Sequence, residues 1–302
     1  MGFSIFSKSK IKIGFLISYD YKYIFDALPI VYAYADEIIL CIDVNRNTWA
    51  GKKYELDPKF FDNIRAIDPD EKIVFFEADF YVPTLTPMEN DTRERNMLSE
   101  KMGADCWKLQ IDADEYFLNF DAVYQFLQQN RYFLSKPKYN PVNIRANWIT
   151  LFKKTKHGYV YIDNEEDFSF ATNLVGQHFF ARDLASKTNR EIYTNFRVLH
   201  HSWAREPHEV HQKIKNWSHK DDFDGDQFYD FWMSIDESNY MDFHDLHPIY
   251  KGAWTGLKFI ACSDIHDFIS KFNATHPALE PTKVPQKYFK KYVKNTLKLW
   301  RK

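Results

Sequence analysis

Two carboxylates one residue apart, Asp112 and Asp114, follow the run Cys106-Trp107-Lys108-Leu109-Gln110-Ile111. Read as one strand over 106–117, the segment alternates its side chains, so both acids face the same side. Like charges that close repel unless a cation lies beside them. Hard divalent ions such as Mg2+ and Mn2+ take oxygen ligands and commonly bridge protein carboxylates to substrate phosphates. A metal on Asp112 and Asp114 is therefore the chemistry expected, against the plainer reading of a solvated acidic turn or capping pair. A second cluster, His200-His201-Ser202-Trp203-Ala204-Arg205, offers imidazoles as further metal ligands. On a strand only one of two adjacent histidines faces the cleft. His200 is the one favoured, and its neighbour His201 is kept as the alternative.

These residues need elements to hold them. IKIGFLISY (11–19), DEIILCIDVN (36–45) and IVFFEADF (73–80) read as buried strands, with a helix over 23–35 that must absorb Pro29 and another over 89–103 closed by Gly103. Strands alternating with helices predict an α/β fold with a mostly parallel sheet, whose ligands bind at the carboxyl ends of the strands. That edge collects Tyr19, Asp20, Asp43, Asp79 and the 112–115 cluster. After about 140, strands are expected in PVNIRANWITLFKK, HGYVYID and NFRVLHHSW, and a helix over 207–220 with Pro207 in its first turn. The division expected is a main domain over 1–240, with halves of about 11–127 and 140–240, and an extension over 241–302.

The chain has 302 residues and 45% hydrophobic content, enough for a sizeable core. Aromatic residues reach 18%, and they both fill cores and build platforms for flat ligands. A net charge of −2 gives no basic field for nucleic acid. Cys41, Cys106 and Cys262 lie far apart and form no CxxC, which suits a reducing compartment. No leader peptide and no stretch long enough to span a bilayer is read in the sequence, so a cytoplasmic location is expected.

The run Thr92-Arg93-Glu94-Arg95-Asn96-Met97-Leu98, then Met102-Gly103-Ala104-Asp105-Cys106-Trp107-Lys108-Leu109, then Asp112-Ala113-Asp114-Glu115, resembles family 2-like inverting glycosyltransferases of the GT-A fold. The likeness covers about residues 11–127. More loosely, RVLHHSWAREPHEVHQKIKNWSH resembles a segment of bacterial surface-polysaccharide and lipopolysaccharide members. The resemblance implies a central mixed sheet flanked by helices, a nucleotide-sugar donor, a glycan or lipid-linked acceptor, and Mn2+ or Mg2+ as cofactor. Residue by residue, it implies that Asp112 contacts the donor ribose or the metal and that Asp114 holds the metal on the diphosphate. Arg95 and Ser18 would support the donor site, and Asp43 would read the base or ribose. Asp43 departs from the family's usual loop, since Val44-Asn45-Arg46-Asn47-Thr48 follows it, and a capping role is the alternative. Arg205 and Lys213 could offset diphosphate charge.

Inverting transfer needs a general base. The acidic run Asn164-Glu165-Glu166-Asp167 supplies Glu166 and Asp167 as candidates, with Glu115 as another. The expected activity is metal-dependent sugar transfer in surface polysaccharide synthesis. Two alternatives remain: a sugar-phosphate nucleotidyltransferase, disfavoured because Ser18–Tyr23 lacks glycine, and an inactive glycan-binding relative. Finally, residues 283–302 carry eight Lys and Arg and no acid, with Phe289, Val293, Leu297 and Trp300 on one side of a helix. Such a helix is expected to lie on an anionic membrane surface at the inner face of the plasma membrane.

Overall fold

The computed structural model describes residues 9–163, 166–184, 190–276 and 282–299. Strands β1 (Lys10–Ile17), β2 (Glu37–Asp43) and β3 (Ile73–Ala78) alternate with helices α1 (Ile24–Tyr32), α2 (Phe60–Ala66) and α3 (Pro87–Met102). Strand β4 (Cys106–Asp112) follows, then β5 (Glu115–Phe117) and α4 (Phe120–Gln129). The second half contributes β6 (Val142–Lys154), β7 (Gly158–Ile162), β8 (Asp167–Thr172), β9 (His178–Phe180), β10 (Asp183–Leu184) and β11 (Arg190–His200). The chain continues with α5 (Pro207–Asn216), α6 (Gly225–Met233), β12 (Lys258–Ala261), α7 (Ile265–Thr275) and α8 (Gln286–Leu299).

One mixed sheet of order β12-β7-β6-β8-β4-β1-β2-β3 runs through the molecule, with β11 beside β6 and β5 on β11. The β4-β1-β2-β3 half is parallel throughout, whereas β8 joins β4 antiparallel. The fold is thus α/β with helices flanking a mixed sheet. β1, β2 and β4 are buried at nearly every position because both of their faces are covered. Gly14 on β1 has a steric reason: a Cβ there would lie 2.5 Å from Leu98 Cδ2, so the missing side chain lets α3 sit down on the sheet. A complete capping box starts α3, with Thr86 and Glu89 each accepting from the other's backbone N–H, and Pro87 occupies its first turn.

Three differences from the sequence reading matter for the site. The strand expected over 106–117 is broken: β4 ends at Asp112, Ala113 and Asp114 form a turn, and β5 starts at Glu115. Asp112 and Asp114 therefore do not alternate along one strand. Asp167, expected in an acidic loop, opens β8, which packs between β6 and β4. The boundary expected near 240 is crossed, because β12 pairs with β7 at the sheet edge and Phe268 and Phe272 of α7 enter the main core. Much of the aromatic content goes into a second core over the sheet, where Phe152, Trp203, Phe228, Trp232 and Trp254 pack together.

Candidate functional site

The carboxyl ends of β1, β2 and β4 open into a cavity of about 320 Å3, within the range of small-molecule sites. Ser18, Asp43, Arg95, Asp112, Asp114, Glu166, Asp167 and His200 line it, and Glu115, His201 and Arg205 do not. The sheet topology explains the convergence, since β1 and β4 are parallel neighbours and β11 returns His200 beside the β4–β5 turn.

Asp112 has both carboxylate oxygens engaged by guanidinium groups. Arg95 Nη2 lies 3.0 Å from Oδ1 and Arg182 Nη2 lies 2.6 Å from Oδ2. Burial would raise the Asp112 carboxyl, but Arg182 and Arg95 overcome it and hold the group below its ordinary range. Asp91, one helical turn before Arg95, accepts from Arg95 Nε at 2.6 Å and fixes that guanidinium from behind. Asp114 accepts from Arg205 Nη2, with His200 Nε2 at 3.6 Å and Lys213 Nζ at 3.9 Å. Burial pushes this carboxyl up, and His200, Arg205 and Lys213 outweigh burial, so it stays ionised well below the usual range. The same burial keeps His200 neutral, its pKa lowered to about 4, and brings Lys213 down to about 8.

Several sequence expectations are corrected by these contacts. Asp43 is consumed by the backbone: Oδ1 accepts from Asn45 N and Asn47 N, and Oδ2 from Phe80 N at 3.0 Å and Tyr81 N at 3.3 Å. It pins the loop after β2 to the loop after β3, so the capping reading holds, and Asp43 reaches a ligand only as the floor of the cavity. Glu115 is closed off as a base. Its Oε1 accepts from Trp148 Nε1, and its Oε2 from Asp112 N and Arg182. Burial raises its pKa to about 7, but no acceptor reaches it. Arg205 stands behind Asp114, bridging it to Asp20 at 3.0 Å, and is buried rather than presented to a ligand. His201 is not placed as a ligand: its ring sits within hydrogen-bond distance of Tyr116 Oη and the Ala204 carbonyl and packs on Tyr23.

The expected Mn2+ or Mg2+ site is not assembled in this arrangement. Both oxygens of Asp112 and one of Asp114 already face guanidinium groups. Among the described residues no three His, Cys, Asp or Glu side chains converge in a group that could hold a metal ion. What the cavity offers instead is cationic N–H donors. Arg95, Arg182 and Lys213 all line it, and charged N–H groups suit an anionic oxygen rather than a cation; Nη1 of Arg95 and of Arg182, closed to solvent, have no hydrogen-bond partner among the described residues. Arg182 comes from the turn of the β9–β10 ribbon, and nothing in the sequence around it signals the role. Asp91 was findable, standing four residues before Arg95 on a helix.

Aromatic rings share the cavity lining with the cations: Arg182 lies 5.0 Å from the ring of Phe168, and the His200 ring lies 5.2 Å from that of Trp148. Trp148 stacks on Phe168 with centroids 4.3 Å apart, and Trp217, His219, His247, Tyr250 and Trp254 also line the cavity. Glu166 Oε2 accepts from Trp254 Nε1 at 2.8 Å, and Asp167 is paired with Arg145. Of the run 164–167, Asn164 and Glu165 lie outside the described residues.

The histidine pair should respond asymmetrically. His201→Ala removes two buried hydrogen bonds and ring contacts with Tyr23, Tyr116 and Tyr159, so it should cost about 2 kcal/mol of stability and leave ligand affinity unchanged. His200→Ala should weaken binding of a nucleotide or nucleotide sugar at least tenfold with a smaller loss of stability. Denaturant titration of each variant with and without ligand separates the two, and the reverse order would show the assignments to be exchanged.

No protein-family model matches this chain, and no curated protein matches it.

Proposed function

We propose that the protein transfers a sugar from a nucleotide-diphosphate donor to a glycan or lipid-linked acceptor, on a GT-A type scaffold. The observation that carries this reading is one cavity, at the carboxyl ends of parallel strands, whose lining intersperses cationic Arg95, Arg182 and Lys213 with the rings of Trp49, Trp148 and Trp217. In such sheets that crevice is where nucleotides bind. Arg182, Lys213 and Arg95 would meet the diphosphate, and neutral His200 would donate or accept a further hydrogen bond. Trp49, fixed by its Nε1–H to Glu94 at 2.6 Å, lies where a base can stack. Aromatic faces such as Trp148 and Trp254 suit a sugar acceptor. As the anomeric bond breaks, negative charge builds on the leaving nucleoside diphosphate, and Arg182 and Lys213 would stabilise it. Glu166 lines the cavity beside Trp254, whose Nε1 donates to it, and we assign to it proton removal from the acceptor hydroxyl.

The test is thermal shift and donor turnover across nucleotide sugars, each with EDTA and with Mn2+, because a bound ligand stabilises the folded state by mass action. A stabilising nucleotide sugar that is hydrolysed or transferred supports the reading, and Lys213→Ala should then raise its Kd about tenfold or more. A strict Mn2+ requirement would show that the carboxylates exchange their guanidinium partners for metal. If no nucleotide or nucleotide sugar shifts the melting temperature in either condition, the proposal fails.

A further inference from the structure

Helix α8 is held to the domain by only one of its faces. Tyr288 Oη donates to the Glu191 carbonyl at 3.3 Å, Tyr292 meets the ring of Tyr132 at 5.2 Å, and Tyr288 and Val284 pack against the main core. Next to that face, at steps of four residues, Phe289 is 52% exposed with its ring set edge-to-face with that of Tyr132, Val293 is 38% exposed and Leu297 59%. An apolar ridge this regular, left in water beside a docked face, calls for a partner. Its other flank is basic: Lys287, Lys290, Lys291 and Lys294 are exposed. Trp300 and the charges at 301 and 302 lie outside the described residues.

We propose that α8 seats the protein on an anionic lipid bilayer, with Phe289, Val293 and Leu297 entering the headgroup boundary and the lysines meeting lipid phosphates. Charge complementarity selects this occupant. Residues 283–302 concentrate eight positive charges in a chain whose net charge is −2, so a second copy laid ridge to ridge would bring like charges together. An anionic surface attracts each of them. The segment after Tyr132 adds exposed Lys136, Lys138 and Tyr139, the last 56% exposed. No helix among the described residues is long and apolar enough to cross a membrane, so the contact is interfacial. None of residues 282–299 lines the cavity, and this inference stands independently of the proposed reaction.

The experiment is co-sedimentation of the full chain with vesicles of phosphatidylcholine alone and of phosphatidylcholine with phosphatidylglycerol, at low and high salt. The wild-type chain should sediment only with the anionic vesicles and be partly released by salt. Substitution K290Q/K291Q/K294Q should lower partitioning about a hundredfold, roughly fivefold per lysine. Substitution F289S/V293S/L297S should remove the salt-resistant fraction, and V293S/L297S, which keeps the contact of Phe289 with Tyr132, should weaken it while keeping the melting temperature of wild type. Three results overturn the proposal: wild type remaining in the supernatant at low salt, equal binding to both vesicle types, or a concentration-dependent dimer lost in F289S/V293S/L297S without lipid binding.

Discussion

Asp114→Asn should lower donor turnover by about 10²–10³, the size of effect seen when one preorganised electrostatic group is removed from an active site. The carboxylate faces Arg205, His200 and Lys213 at once, and the amide keeps its shape without its charge. Lys213 would lose its anionic partner inside a buried wall and swing or deprotonate. The same change should cost about 3 kcal/mol of stability, because removing one partner of a buried ion pair strands the other. The pH dependence has a definite sign. Asp114 is held below its ordinary value of 3.8, so its stabilisation is complete above that pH and is lost as the pH falls further. Denaturation midpoints of wild type and variant should converge in acid. Turnover within a few-fold of wild type would remove Asp114 from the site.

The second large effect is expected at Arg205, and it is one of stability. Its guanidinium bridges Asp20 and Asp114, and Nε donates to the Ser202 carbonyl at 2.9 Å. Arg205→Met leaves buried Asp114 with only Lys213 at 3.9 Å as a cation and takes the guanidinium from half-buried Asp20, and should cost about 3–5 kcal/mol, a large part of the roughly 5–15 kcal/mol that holds a domain folded. Arg205→Lys should rescue little, since one ammonium cannot reproduce the planar fork that reaches both acids. Adding Asp114→Asn to Arg205→Met should cost less than the sum of the two, because the second change removes one stranded charge. Additive losses in urea titrations would mean that the two groups do not act as a pair.

The first half of the fold was legible because its signals are local. Apolar runs made β1 to β4 visible, and Gly103 marked the end of α3, whereas its start at Pro87, set by the Thr86–Glu89 capping box, lies two residues before the expected one. Residues lining the cavity from this half, such as Asp20, Asp112 and Asp114, followed from the rule that ligands gather at strand ends. The break at Ala113–Asp114 was hidden, since a two-residue turn between a long strand and a three-residue strand carries no distinct pattern. β8 was hidden for a related reason: its first residue, Asp167, ends an acidic run that reads as a loop. The deeper miss concerned charge. The carboxylates at 112 and 114 called for a cation, but spacing cannot say whether it is a metal or a guanidinium brought from residue 182 or 205. Asp43 shows the same ambiguity, because a carboxylate at a strand end serves a ligand or four backbone N–H groups equally well on paper.

The separation of these charges along the chain also bears on synthesis. Asp20, Asp91, Asp112, Asp114 and Glu115 are all made before residue 120, with Arg95 as the cation among them that pairs with Asp112. Arg182, Arg205 and Lys213 arrive some 70 to 100 residues later. A nascent chain that has released only β1 to β5 carries a knot of carboxylates whose counter-charges are still inside the ribosome. Burying that knot early would strand several anions in a low-dielectric interior. The strand ends around it should therefore stay open and hydrated until β11 and α5 emerge, so the parallel half of the sheet closes in the order set by translation, last at the very edge where the ligand will sit.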